Sequence, residues 1–309
     1  MPSTKDLKKR IGSVTNTRQT TKAMKMVSAA KLRRAQDAIT ANRPFAKQVG
    51  SLVEHMLGVP EITLNSVLLD RDGTTDAKEG KRLLLILVTS DRGLCAGFNA
   101  IPIKTAMRWI KANSSGYANI TISFLGKRGS DFFKSRKQYA YGEFFEKAGG
   151  KVNFKKASDL SKHIVEGFQD GQYDEVKIIY NEFKNAVLQI PVVEDYLPLR
   201  PKPAKADASV PTTSANAENT GTMVIVKPSA DEVLAALLKK HFSIQIFRIM
   251  LESQAGEHGA RMSAMENATK NANEMIKKLT IQYNKQRQAG ITKELLEIIA
   301  GSESAKAQA

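Results

Sequence analysis

The sequence predicts an α/β protein in which the two ends of the chain form a long antiparallel coiled coil, joined to a central domain with a mostly parallel sheet. Three observations predict it. Residues 3–57 and 229–309 carry apolar residues at helical spacing, with Pro44 their only proline. Residues 81–199 change to short apolar runs alternating with helical patterns, the signature of strands crossed over by helices. A stretch rich in Pro, Ala, Ser and Thr, residues 200–222, separates that region from the final one.

In the N-terminal region (1–58), Ser3 or Thr4 offers a helix cap. Apolar residues then recur at Leu7, Ile11, Val14, Met24, Val27, Leu32, Ala35, Ile39, Val49, Val53 and Met56. One helix of this length spans about 80 Å at 1.5 Å per residue, with a bend expected where Pro44 lacks a donor. Between Thr15 and Lys31 a strict heptad puts Arg18, Thr21, Lys25 and Ser28 on inner positions. These are poor seam residues, so this section is expected to meet another surface.

After a connecting loop (59–80), the central α/β domain (81–199) opens with a strand, Leu83–Thr89, and the loop TSDRGLCAGFN, residues 89–99. A helix over Pro102–Lys111, a strand over Ile120–Leu125 and a short helix over Gly129–Lys137 follow. Next come a helix capped by Ser158 and ending at Phe168, a strand over Glu175–Tyr180, and the segment Ala186–Val193. Residues 200–222, with too few apolar residues to pack, read as a flexible linker.

The last region (223–309) holds a short strand, Met223–Val226, and then a long helix. Ser229 with Glu232 reads as a capping box. Steps of three and four trace Leu234, Leu237, His241, Ile244, Arg248, Leu251, Ala255, His258, Met262, Met265, Thr269, Ala272, Ile276, Leu279 and Tyr283, a coiled-coil seam. A helix of about 70 residues would span roughly 105 Å. Gly256, Gly259 and Gly290 each weaken it by roughly 1 kcal/mol relative to Ala, which calls for packing support or close approach. Each end helix has only a narrow apolar stripe, and the simplest cover for each is the other.

The chain has 309 residues, 42% of them hydrophobic, and a formal net charge of +16, pointing to an acidic partner. The basic residues are concentrated at one end. Residues 1–50 hold twelve Lys and Arg against Asp6 and Asp37, whereas residues 229–309 hold eleven against nine acids. The single cysteine, Cys95, excludes an internal disulfide, and four scattered histidines have no metal-ligand spacing. No apolar run reaches the roughly 20 residues of a membrane span, and MPSTKDLKKRIGS lacks the core of a secretory signal.

TSDRGLCAGFN has the strand, turn and helix setting of a phosphate loop but matches neither G-x-G-x-x-G nor G-x-x-x-x-G-K-[ST]. It reads as a structural or protein-contact turn. Cys95 lacks a nearby base and reads as a buried, inert thiol. Glu294 and Glu297, three apart on a helix, read as surface charges rather than an acid/base pair. The basic stretch TKAMKMVSAAKLRR, residues 21–34, suits a wall of acidic groups. Two other readings exist: a basic coiled coil on nucleic acid, betrayed by a steep salt dependence, and an α/β enzyme resting on the opening loop. Against the first, a base-reading zipper dimerises with a parallel copy, whereas this seam finds its partner within the chain.

TKAMKMVSAAKLRRAQ, SDRGLCAGFN, ARMSAMENATKNANEMI and YNKQRQAGITKELLEII, taken in order, resemble the gamma subunit of F-type ATP synthases over essentially the whole chain. The resemblance implies a Rossmann-like central domain and a rotating shaft that couples proton-driven turning of a membrane c-ring to ATP synthesis in beta subunits. It implies no catalytic residue, cofactor or metal in this chain. The partners implied are the alpha and beta subunits of an alpha3beta3 ring, the epsilon subunit and the c-ring, with one copy per complex and no nucleic acid. The implied location is peripheral, on the cytoplasmic side of a bacterial inner membrane. By the same resemblance, Met24 and Lys25 face an acidic lever of beta, Arg92 lies near it, and Arg261, Gln288 and Thr292 match positions implicated in coupling and in contacts with the catch region of beta. Val224, Val226 and Lys227 stand where the family often has tyrosines and an acid, so no ring-contact residue is assigned; a regulatory cysteine pair is absent.

Overall fold

In the computed structural model, residues 3–57, 68–69, 80–136, 139–148, 152–199 and 230–307 are described. The predicted linker 200–222, the strand at 223–226, the cap at Ser229 and most of the loop 59–80 lie outside the described residues. The chain runs α1 (Thr4–Leu57), β1 (Lys81–Val88), α2 (Ala100–Asn113), β2 (Tyr117–Leu125), α3 (Lys127–Lys134), β3 (Ala140–Glu146), α4 (Phe154–Gln169), β4 (Glu175–Phe183), β5 (Gln189–Leu197) and α5 (Ala230–Ala307).

The N-cap of α1 is Ser3. Its Oγ accepts from the Asp6 N–H at 3.2 Å while the Asp6 carboxylate accepts from the Ser3 N–H at 3.3 Å, a reciprocal capping box. The helix is uninterrupted at Pro44. The 78 residues of α5 exceed the predicted length and span about 117 Å. The two helices pack antiparallel: Arg18 meets Asn273, Thr21 meets Thr269 and Lys25 meets Glu266, so rising numbers on α1 face falling numbers on α5.

The inner side of the weak part of the seam is closed by α5, while Met26 and Val27 on the same section are left exposed. Thr21 and Ser28 are buried, and hydrogen bonds and an ion pair replace the missing aliphatic contacts. Thr21 Oγ1 and Thr269 Oγ1 lie 2.8 Å apart, and each also reaches a carbonyl of its own helix, at Arg18 and Met265. Thr21→Val alone should lower stability by about 1 kcal/mol, whereas Thr21→Val with Thr269→Val should match the parent, because both hydroxyls then leave together. Urea midpoints of the four proteins measure that coupling.

The sheet has the order β3-β2-β1-β4-β5, parallel except for β5. Both faces are covered, which explains why β1 is a continuous apolar run rather than an alternating one. Leu83, Leu85 and Leu87 face a core with Ile103, Ala106 and Phe133 of α2 and α3. Leu84, Ile86 and Val88 face one with Ile164 and Phe168 of α4, Leu238 and Phe242 of α5, and Val53 of α1. The lower half of the coiled coil is thus a layer of the α/β core. Each such fully buried Leu or Phe contributes roughly 1.5–3 kcal/mol.

Three elements differ from expectation. The cap of α4 is Asn153, whose side chain accepts from the Lys155 N–H, and Ser158 lies inside the helix. Strand β3, AYGEFFE, was not expected; it is an edge strand with only partial burial, so no continuous apolar run marks it. The segment after β4 pairs from Gln189, so residues 184–188 form the turn of an antiparallel hairpin.

Candidate functional site

The sheet order reverses between β1 and β4, and in open α/β sheets ligands bind beyond the carboxyl ends of the strands at such a point. TSDRGLCAGFN leaves β1 there, but the crevice is filled by the chain itself. Phe98 is 2% exposed, and its carbonyl accepts from Asn181 Nδ2 of β4 at 2.8 Å. Helix α5 lies across it on two glycines. A Cβ at Gly256 would stand 2.9 Å from a ring carbon of Phe98, and one at Gly259 would stand 2.9 Å from the Ala186 carbonyl oxygen. The close approach anticipated for these glycines is met; Gly290 has nothing within 4 Å.

The nearby start of α3 is also occupied. Its free N–H groups, which would attract an anion, are taken by the opening loop: Lys127 donates to Asp91 Oδ1 at 2.9 Å, Arg128 to the Ser90 carbonyl at 3.1 Å and Gly129 to Thr89 Oγ1 at 2.9 Å. A carboxylate of the chain stands where a phosphate would.

The loop is held rigidly. Ser90 Oγ donates to the Arg92 carbonyl at 2.7 Å, and Arg261 Nη2 of α5 donates to the carbonyls of Gly93 at 3.2 Å and Arg92 at 3.5 Å. Positive φ falls on Leu94 (62°) and Ala96 (48°), not on Gly93 or Gly97. Burial pushes the Cys95 thiol up, and Cys95 packs with Phe98 and Ala260 in a small apolar cluster, as an inert thiol would. His163 instead faces Glu143 on the surface.

Of the residues singled out from sequence, the structure brings Arg92 and Arg261 together. The Arg92 side chain is exposed, whereas Arg261 is buried, paired with Glu257 at 2.7 Å. Met24 and Lys25 are half-buried on α1, and Lys25 pairs with Glu266 at 3.2 Å. Gln288 and Thr292 are exposed on α5 in the stretch from Arg287 to Ala300, where no residue is buried or half-buried. Glu257 was not anticipated from sequence, although its i,i+4 spacing to Arg261 is a legible signal. Asn181, in a strand, offered none.

His258, beside this pair, has its pKa pushed down to about 4, first by burial and then by Arg261 and Lys31. A lowered folded-state value means the unfolded chain takes the proton first. His258 therefore contributes stability that is full above about pH 6.5 and is lost as pH falls toward 4, about 3 kcal/mol in all. Glu252 and Glu257, raised by burial, act in the opposite sense. Urea unfolding of the parent and His258→Gln between pH 7 and 4 isolates the histidine: the parent should lose more stability over that window.

A sequence model described as ATP synthase matches residues 3–305. The chain belongs to the ATP synthase gamma family. It is 45% identical to the ATP synthase gamma chain of Trichlorobacter lovleyi, covering 99% of this chain and 100% of that one, and 40% identical to that of Bdellovibrio bacteriovorus with the same coverage. Among solved structures it resembles a chain of the central stalk and c-ring of the Tetrahymena thermophila mitochondrial ATP synthase, with a TM-score of 0.56 and 25% identity over 81% of this chain and 99% of that one. A chain of the Euglena gracilis mitochondrial ATP synthase shares the fold, with a TM-score of 0.63 at 19% identity over 98% of this chain and 95% of that one. As a gamma-family subunit the chain is the central shaft of the rotary enzyme and non-catalytic, in keeping with a crevice filled by its own helix.

Proposed function

We propose that the part of the coiled coil beyond the sheet, α1 up to about Lys25 and α5 from about Glu266, is received by an alpha3beta3 ring, while the sheet end stands on a c-ring with an epsilon subunit. The observation that carries this reading is where packing stops. The sheet-bound cores draw on α5 only as far as Met262, after which α1 and α5 pack chiefly on each other. From Glu266 to Ala307 the 42 residues of α5 extend about 63 Å, and the described side chains among them up to Ala300 are mostly exposed. A lone two-helix rod has no threefold symmetry, so as it turns it presents different faces to three equivalent subunits, and those differential contacts are what coupling requires.

In this reading Met24, Lys25 and Arg92 meet an acidic lever of beta, and Gln288 and Thr292 meet the ring from the protruding tip. Arg261 acts through the loop it holds. The division into N-terminal shaft helix, connecting loop, central domain, linker and C-terminal shaft helix follows the same plan. No helix among the described residues is long and apolar enough to cross a membrane; attachment through the c-ring, with one copy per complex on the cytoplasmic face of a bacterial inner membrane, completes the proposal. Co-expression with alpha and beta subunits tests it. The chain should co-purify in a complex that hydrolyses ATP, with beta and alpha each in threefold excess. Recovery of the chain alone, or bound to nucleic acid with a steep salt dependence, would refute it.

A further inference from the structure

We infer that Arg108 and Lys111 of α2, with Lys134 and Arg136 at the end of α3, form a cationic face for anionic phospholipid headgroups of the membrane bordering the c-ring. The inference rests on the reading above, in which the sheet end is turned toward the membrane. The fold places these residues at that end. Both helices start at the carboxyl ends of strands and run back to the amino ends. Ala112 and Asn113, closing α2, line one hollow with Lys81, Tyr117 and Glu175, which open β1, β2 and β4. Helix α5 crosses the loop that leaves β1 at Arg261 and only then becomes the free rod. The last turns of α2 and α3 therefore lie at the end of the sheet opposite to the protruding tip.

The two helices carry six Lys and Arg against one acid, Asp131. Arg136 joins their ends into one face: its Nη1 lies 3.7 Å from Met107 Sδ of α2, and its guanidinium carbon 3.8 Å from the centre of the Phe132 ring. Lys134 Nζ stands 5.6 Å from the centre of the Tyr141 ring. The stems lie over apolar surface and the charged heads reach water. All four side chains are exposed, and none has an ion-pair partner among the described residues. Neighbouring cations are matched instead: Lys81 with Glu175, Arg82 with Asp174 and Lys177 with Asp195. The missing apolar anchors favour a membrane over a protein. Ile101, at the far end of α2, is the single large apolar side chain exposed on either helix, whereas a specific protein contact is built on buried apolar anchors. An anionic bilayer attracts Lys and Arg diffusely, about fivefold in binding per cation near its surface. Attraction of that kind has no angular register, so it holds a turning foot near the membrane without braking it.

The test is sedimentation of the complex with alpha and beta subunits on vesicles of phosphatidylglycerol and phosphatidylcholine in equal parts, at low salt. The parent should bind these and not vesicles of phosphatidylcholine alone. Arg108→Gln, Lys111→Gln, Lys134→Gln and Arg136→Gln combined should weaken binding about a hundredfold with no change in melting temperature. Arg108→Lys with Arg136→Lys, which keeps the charge, should bind as the parent does. The control removes the same charge from the opposite side of the domain, as Lys155→Gln, Lys162→Gln, Lys239→Gln and Lys240→Gln, and should bind within a few-fold of the parent. In the complete membrane-bound enzyme, a photo-crosslinking amino acid at position 111 should label phospholipid. No binding by the parent, equal loss in the control, or a crosslink from position 111 to another subunit would overturn the inference while leaving the shaft intact. Should the chain fail to assemble with alpha and beta, the shaft reading falls instead, and the same vesicle comparison on the full chain alone still decides whether this face selects anionic lipid.

Discussion

Gly259→Val is expected to destabilise the chain by about 3 kcal/mol and to separate the shaft from the sheet. A Cβ at this position meets the carbonyl oxygen and Cα of Ala186 at 2.9 and 3.0 Å, which are backbone atoms of a hairpin turn and cannot rotate away. Either α5 lifts from the crevice or the hairpin moves, and both open the cluster that Ala186 shares with Leu32, Ala255 and Met262. Valine is a better helix former than glycine, so the propensity change opposes the loss and cannot explain it. Gly50→Ala is the control. It lies in α1 with nothing within 4 Å of the added carbon, and it should gain up to about 1 kcal/mol. Urea unfolding gives both values. In an assembled complex, Gly259→Val should also reduce ATP synthesis more than hydrolysis, because in the proposed arrangement torque enters at the sheet end and reaches the shaft through this seat.

Arg261→Ala is expected to cost about 3 kcal/mol, since it leaves the Glu257 carboxylate buried without its partner and takes the Arg261 donor from the Gly93 carbonyl. Burial already raises the Glu257 pKa against the opposing pull of Arg261, so part of the loss will be relieved by protonation below neutral pH. Arg261→Met with Glu257→Met removes both charges and should recover most of the stability. It does not restore the hydrogen bonds to Arg92 and Gly93. If the pair serves to hold the loop, the double variant will be stable but poorly coupled; if it serves only the fold, coupling returns with stability. Thermal melts and ATP-driven proton pumping separate the two.

Much of the architecture is legible in the sequence, because it depends on periodicity. The seam from Leu234 to Ala272 is a 3.6-residue signal, and the unbroken run of β1 is what a strand buried on both faces requires. Strand β3 was hidden by its place at the sheet edge, where half-buried residues leave no clear pattern. Asn153 was passed over for Ser158 because both are good caps, and only the backbone conformation distinguishes them. The polar seam at Thr21 and Lys25 was not legible for a different reason. One helix alone shows poor packing residues, and their partners, Thr269 and Glu266, lie some 250 positions away.

The site divides in the same way. The absence of phosphate-loop glycines and lysine argued against nucleotide chemistry in TSDRGLCAGFN, and the structure supplies the positive reason: Asp91 takes the start of α3 and α5 covers the crevice. What the sequence conceals is that the loop's positive φ values sit on Leu94 and Ala96 while its glycines serve elsewhere. Backbone strain of that kind depends on the Arg261 brace, a contact across some 170 residues of sequence.

The central claim is that this chain turns as one body inside a ring. It is tested most directly by fixing an assembled alpha3beta3 complex to a surface, attaching a bead to the exposed end of the sheet domain, and adding ATP. Stepwise rotation of the bead in one direction, three equal dwells per turn, is the predicted result. ATP hydrolysis at full rate with the bead fixed in place would contradict it.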